Sequence, residues 1–93
     1  MNGTSRFKVP GGKLVIVKLS YSDKIETLQI LGDFFVYPEE ALPEIENLLI
    51  GSQINAAKQD ISKQINDYAS RKNIEMVGIT PDAIAQAVIM AIR

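Results

Sequence analysis

Alternation of apolar and polar residues dominates the first third of the chain. Residues 6–9 alternate apolar and basic side chains, and residues 13–21 alternate again, with one fully apolar face and a second face that is apolar only at its start. Residues 24–31 alternate a third time after a turn signal at 22–23. A period of two is the signature of a strand with one buried face. The pattern predicts three strands, of which the last two form an antiparallel hairpin.

Apolar residues recur at steps of three and four in the second half of the chain, which predicts helices. Pro43 suits the first turn of a first helix, and Gly51 suits the position after its end. Asn55 is a good N-cap for a second helix, and Asn73 can end it. A third helix starts at Thr80, which is followed by a proline and an aspartate.

Together these elements predict an α+β fold in which a small antiparallel sheet packs against three C-terminal helices on one face. We expect residues 1–93 to form a single domain, with residues 1–5 flexible. Residues 74–77 form either a short strand or an extended link. On the second helix, Asp67 and Arg71 are one turn apart and are expected to pair.

The composition restricts the chemistry that this chain can perform. It has no cysteine and no histidine, which excludes thiol catalysis, Cys-bound metals and a Ser-His-Asp triad. Ten basic and eleven acidic residues give a net charge of −1, which is not the balance of a nucleic-acid-binding protein. No apolar run approaches the length of a membrane span or a signal peptide. We therefore expect a cytoplasmic protein, with no metal site and no membrane partner.

Three of the six aromatic residues fall within four positions, at Phe34, Phe35 and Tyr37. One of the adjacent phenylalanines must point away from the sheet if the segment is extended. The cluster can serve as core or as a protein interface, and at least one ring is expected to face outward. Asp33 precedes the cluster, either as an acceptor of backbone N–H groups in a turn or as part of a binding site.

Basic residues near the N-terminus are the candidate contacts for an anion. Residues 10–13, Pro-Gly-Gly-Lys, lack the length and the following helix of a phosphate-binding loop and are interpreted as a strand connection, although Lys13 can still reach an anionic group. Arg6 and Lys8 lie on the polar face of the first strand, where they are either solvated or in contact with an anion or an acidic partner.

The order of these features resembles the C-terminal accessory domain of lipoate–protein ligases, which is a separate small subunit in bipartite enzymes. Four segments carry the resemblance: Lys8-Val9-Pro10-Gly11-Gly12-Lys13-Leu14-Val15, Ile30-Leu31-Gly32-Asp33-Phe34-Phe35, Leu48-Leu49-Ile50-Gly51 and Gly78-Ile79-Thr80. The resemblance covers residues 6–93. The arginine- and glycine-rich motif and the catalytic lysine segment of the family's large domain have no counterpart here.

The resemblance implies a non-catalytic subunit that forms a heterodimer with a large catalytic subunit. The large subunit would hold ATP, Mg and lipoate, form lipoyl-AMP and transfer the lipoyl group to lysines of acceptor proteins. The small subunit would be needed for the activation step. In this interpretation Asp33, Phe34, Phe35 and Tyr37 contact the large subunit or shape that contact. Arg6, Lys8 and Lys13 lie near that subunit or its nucleotide.

A second hypothesis is a regulatory α+β domain that binds a metabolite and forms a homodimer through its sheet. The two hypotheses differ in what the chain does alone. The homodimer predicts self-association at micromolar concentration and stabilisation by a small ligand without any partner.

Overall fold

A computed structural model describes residues 1–11 and 13–92 of the chain. Three antiparallel strands form the main sheet in the order β1-β2-β3. Their bounds are Asn2–Lys8 for β1, Leu14–Tyr21 for β2 and Ile25–Gly32 for β3. The predicted hairpin of β2 and β3 is confirmed, with a bulge beside Ser20 and Tyr21.

The first strand starts earlier than the sequence pattern predicts. β1 begins at Asn2, so the structure places residues 2–5 in a strand where the sequence predicts a flexible segment. The Ser5 hydroxyl donates a 2.6 Å hydrogen bond to the backbone carbonyl of Ala87, which ties the strand to the last helix. At Gly3 an added Cβ would lie 1.8 Å from the carbonyl oxygen of Ala91, so the glycine allows strand and helix to approach closely. These tertiary contacts order a segment that has no local strand signal.

The two faces of the sheet differ sharply in burial. The inner face carries the buried side chains of Ser5, Val15, Val17, Leu19, Leu28 and Ile30. The outer face carries the opposed rows Thr4, Lys18 and Gln29, and Arg6, Ile16 and Leu31. Leu14 and Ile16 are half-buried on this outer face, as the alternation predicts.

A second, two-stranded sheet lies beyond β3. Here β4 (Phe35–Tyr37) pairs antiparallel with β5 (Glu75–Val77), and the peptide bond from Tyr37 to Pro38 is cis. The segment at 74–77 is therefore a strand rather than a link. Its pairing with β4 was not predicted, because the two strands are separated by two helices.

The three predicted helices are present, and the α+β class is confirmed. Their bounds are Ala41–Leu49 for α1, Lys58–Lys72 for α2 and Pro81–Ile92 for α3. Helix α3 packs on β1 and β2, and α1 packs on β3. We expected all three helices to pack on the sheet. Helix α2 instead packs mainly on α3 and α1 and forms an outer layer. No helix in the described part of the chain is long and apolar enough to cross a membrane.

Of the three boundaries predicted for α2 and α3, two are confirmed and one is wrong. The Thr80 hydroxyl accepts the backbone N–H of Ala83 at 3.1 Å, which caps α3. Asn73 ends α2 in the left-handed conformation. Helix α2 starts at Lys58 and not near Asn55, because the preceding segment is held at the β2–β3 hairpin, where the Ile54 N–H donates to the Asp23 carbonyl.

The predicted ion pair on α2 does not form in the structure. The Arg71 Nε donates to the backbone carbonyl of Asp67 at 3.4 Å instead of reaching its carboxylate. Within residues 1–11 and 13–92 the salt bridge joins Lys58 of α2 to Asp82 of α3, with 3.2 Å between Nζ and Oδ2. The charge pairing therefore connects two helices rather than two turns of one helix.

Candidate functional site

The two-stranded sheet presents apolar side chains to solvent. Phe35 and Tyr37 of β4 are 58% and 48% exposed, while Val36 between them points inward and is buried. Val77 lies opposite Phe35 on β5 and is 44% exposed. Directly opposed residues of an antiparallel pair share a face. We call the exposed group of Phe35, Tyr37 and Val77 the aromatic patch.

The two rings of the aromatic patch are stacked. Their centroids are 6.2 Å apart and their planes differ by 13°. Aromatic side chains have only two χ angles, so they supply a large contact area at little cost in conformational entropy on binding. Exposed aromatic residues with this property are typical anchors of protein interfaces.

Phe34 does not belong to this surface. Its side chain is only 9% exposed and packs in the core, so of the two roles left open for this residue the structure favours the core, from which Phe34 can shape a contact but does not present a surface for one. The ring lies over Gly32, where an added Cβ would be 2.5 Å from a ring carbon and 2.2 Å from the Leu14 carbonyl oxygen. Phe34 therefore anchors the start of β4, and the alternation sends Phe35 outward as predicted.

Asp33 connects the start of β4 to β2. One of its carboxylate oxygens accepts the backbone N–H of Leu14 at 3.0 Å. This hydrogen bond favours the charged form, and together with the nearby Lys13 it lowers the pKa of Asp33 below its usual value. The turn interpretation of Asp33 is thus the one that the structure supports, and its effect on the aromatic patch is to fix where β4 begins.

The three candidate cations lie on two different surfaces. The Lys13 side chain runs along Gly78, where an added Cβ would be 2.8 Å from Lys13 Cγ, and Gly78 directly follows Val77 of the aromatic patch. Arg6 and Lys8 instead project from the outer face of the main sheet, opposite Ile16 and Leu14. Only Lys13 therefore adjoins the aromatic patch.

Acidic residues border the other end of the aromatic patch. Glu75 lies opposite Tyr37 on β5, and Glu39 and Glu40 follow Tyr37 after one proline. All three are exposed. Sequence reasoning missed Glu75 and Val77 as members of this site, because their place is set by the β4–β5 pairing and not by any local pattern.

The described residues offer surfaces for contact. Among residues 1–11 and 13–92, no three acidic side chains are close enough to share a metal ion. Every buried side-chain polar atom of the described residues has a hydrogen-bond partner. The aromatic patch and its borders present stacked rings, an apolar side chain and exposed charge.

The fold and its surface define a small α+β domain that displays paired aromatic rings. No established family model matches the chain. It is similar to the lipoate-protein ligase A subunit 2 of Thermoplasma acidophilum, with 31% identity over 65 residues, or 70% of this chain. The matched region spans 64% of the length of that relative.

A solved structure supports the same relationship over nearly the whole fold. A chain in the structure of a bipartite lipoate protein ligase and its E2 lipoyl domain from the same organism superposes with a TM-score of 0.76. The match has 28% sequence identity and covers 95% of this chain and 94% of that chain. The chain is therefore similar to the small subunit of bipartite lipoate–protein ligases over most of its fold, and the resemblance noted in the sequence is confirmed.

Proposed function

We propose that this chain is the non-catalytic small subunit of an ATP-dependent lipoate–protein ligase and forms a cytoplasmic heterodimer with a large catalytic subunit. The observation that carries the proposal is the match, over 95% of the chain, to a chain of the bipartite ligase structure. The exposed stacked rings of Phe35 and Tyr37 support it, because a subunit that works through a partner needs an interface of this kind.

The activation step explains why a second subunit is useful. The lipoate carboxylate attacks the α-phosphorus of ATP, pyrophosphate leaves, and lipoyl-AMP forms. Both reactants are anions, and the product is a mixed anhydride that water destroys. A docked subunit that excludes water strengthens the electrostatic stabilisation and protects the product. In this proposal ATP, Mg and lipoate are held mainly by the large subunit.

The transfer step has the opposite requirement. The amine of an acceptor lysine attacks the lipoyl carbonyl and AMP leaves, so an entire acceptor protein must reach the adenylate. A subunit that is needed for activation and gives way for transfer satisfies both steps. We assign the contact with the large subunit to Phe35 and Tyr37, positioned by Asp33, with Lys13 at the edge facing that subunit or its nucleotide.

The test is release of pyrophosphate from ATP and lipoate by the large subunit, with and without this chain. We expect the wild-type chain to accelerate release. A large subunit that is equally active alone would overturn the activating role.

Matched variants then test the surface. Phe35→Ala and Tyr37→Ala should weaken binding of the large subunit by about tenfold or more each, the effect of losing an interface anchor. Ile50→Ala is the control: Ile50 is also exposed, but the next residue, Gly51, bonds to the start of β3, at the far end of the sheet. Lys13→Ala is compared with Lys24→Ala, which lies at that same far end. Equal effects of a variant and its control would refute the assignment.

A further inference from the structure

The outer face of the main sheet carries positive charge on an acidic protein. Its side chains come from alternate positions of the three strands: Asn2, Thr4, Arg6, Lys8, Leu14, Ile16, Lys18, Ser20, Thr27, Gln29 and Leu31. Three of these side chains are cations and none is a carboxylate, although the chain has eleven acidic residues and a net charge of −1. Glu26 lies at the bulge beyond this face and accepts a hydrogen bond from Ser22.

No packing inside the described part of the chain accounts for these cations. Arg6, Lys8 and Lys18 are exposed, and the salt bridge found among residues 1–11 and 13–92 joins Lys58 to Asp82. Between the cations lie the half-buried Leu14 and Ile16 and the 37% exposed Leu31. An apolar centre surrounded by unpaired charge of one sign is the composition of a protein-binding surface.

The spacing of the cations indicates the size of the anion. Alternate residues of a strand, such as Arg6 and Lys8, are about 7 Å apart, and Lys18 lies on the neighbouring strand, one row beyond Arg6. The backbone N–H groups of a sheet pair with neighbouring strands and do not converge on one point, as they do at a helix start that encloses a phosphate. The face therefore fits several carboxylates spread over a protein surface better than one small anion.

A second copy of this chain does not fit. Two such faces in contact would bring three cations against three, which is repulsive and leaves both sets without partners. The large subunit is already assigned to the aromatic patch on the other sheet. The remaining candidate is a protein that must arrive and leave in each cycle, and for such a partner electrostatic attraction speeds the encounter without a tight complex.

We propose that the outer face formed around Arg6, Lys8 and Lys18 binds an acidic surface of the protein that accepts the lipoyl group. This inference rests on the proposed function. Arg6 and Lys8 are then assigned to the acceptor protein instead of to the large subunit or its nucleotide. Lys18, which the sequence did not indicate as a candidate, joins them. The small subunit then has two surfaces, one for the enzyme and one for its protein substrate.

The experiment uses the complex of both subunits and the acceptor domain of the same organism. The triple variant Arg6→Gln, Lys8→Gln and Lys18→Gln should raise the KM for the acceptor by about tenfold at low salt, and the difference should disappear at roughly 0.5 M salt. Pyrophosphate release without acceptor should not change. The control is Lys63→Gln, Arg71→Gln and Lys72→Gln, which removes the same charge from exposed positions of α2.

Three results would overturn the inference: an unchanged KM, an equal effect of the control triple, or a loss of pyrophosphate release. The last would mean that the face contacts the large subunit or its nucleotide. Binding of labelled acceptor to the complex, measured by fluorescence anisotropy without ATP, tests the face separately from activation. Failure of wild-type chain to accelerate pyrophosphate release would instead refute the proposed function, whether or not the acceptor binds.

Discussion

Tyr68 joins two helices through a hydrogen bond that depends on its ionisation. Its phenol donates to the carboxylate of Glu44, and so links α2 to α1. Burial of the phenol, this hydrogen bond and the negative charges of Glu44 and Glu40 together raise the pKa of Tyr68 to about 12. The folded chain therefore holds this proton more tightly than the unfolded chain does.

Stability should fall in alkaline solution because of this residue. The contribution of Tyr68 is present below pH 10.0, the ordinary pKa of tyrosine, and is lost as the pH rises to about 12. We expect the Tyr68→Phe variant to lose the component of the tyrosinate absorbance titration near that value. Its free energy of unfolding should also fall less steeply over that interval than that of wild type, and parallel curves would contradict the assignment.

Replacing Gly3 with alanine tests the close contact between β1 and α3. Because an added Cβ would lie 1.8 Å from the Ala91 carbonyl oxygen, Gly3→Ala should lower the free energy of unfolding by about 1–3 kcal/mol. The neighbouring Thr4 points to the outer face, so Thr4→Ala serves as the control and should change stability by less than about 0.5 kcal/mol. Urea unfolding measures both, and similar values would show that β1 is not held this way.

At the scale of elements, helices α2 and α3 differ in whether a side chain caps their first turn. Helix α3 has a side-chain cap at Thr80, whereas α2 begins after Ala57 with no side-chain cap. Thr80→Ala should therefore cost about 1 kcal/mol in urea unfolding, and Asn55→Ala should be nearly neutral. The reverse order would mean that the helix begins at Asn55, as its sequence suggests.

Two adjacent phenylalanines at the start of β4 have different roles, since Phe34 contributes to stability and Phe35 to binding. Phe34→Ala removes a buried ring and should lower the free energy of unfolding by about 3 kcal/mol, whereas Phe35→Ala should change it by less than about 0.5 kcal/mol. Only the second variant should weaken the large-subunit complex while leaving the fold intact. Thermal unfolding and binding titrations of both variants check this, and a destabilised Phe35→Ala would show that the ring belongs to the core.

At the scale of the whole molecule, charge is divided between two surfaces. The outer sheet face has three cations, and the aromatic patch is bordered by Glu39, Glu40 and Glu75. The outer face, which carries charge of one sign, repels a copy of itself, and this disfavours a homodimer through the main sheet. We expect the chain alone to sediment as a monomer at micromolar concentration, and a dimer that persists at low salt would favour the regulatory alternative.

The sequence was sufficient where structure is local. The hairpin of β2 and β3 and the outward direction of one of the two adjacent phenylalanines follow from alternation. The end of α2 at Asn73 follows from capping. The helix start predicted at Asn55 is wrong. Asn55 is a good cap residue, but tertiary hydrogen bonds hold its segment at the β2–β3 hairpin. The start of β1 at Asn2 could not be predicted, because this end of the strand depends on contacts with Ala87 and Ala91, more than eighty residues away.

The candidate site shows the same division. Residue types and local alternation are enough to predict an aromatic cluster, a set of basic residues and one phenylalanine that faces outward. Strand pairing brings Val77 and Glu75 to Tyr37. The packing of the elements places Lys13 beside this patch and puts Arg6, Lys8 and Lys18 together on another face. The reason is that periodicity specifies the faces of one element, whereas a surface shared by several elements depends on long-range strand pairing and helix packing, which no single segment encodes.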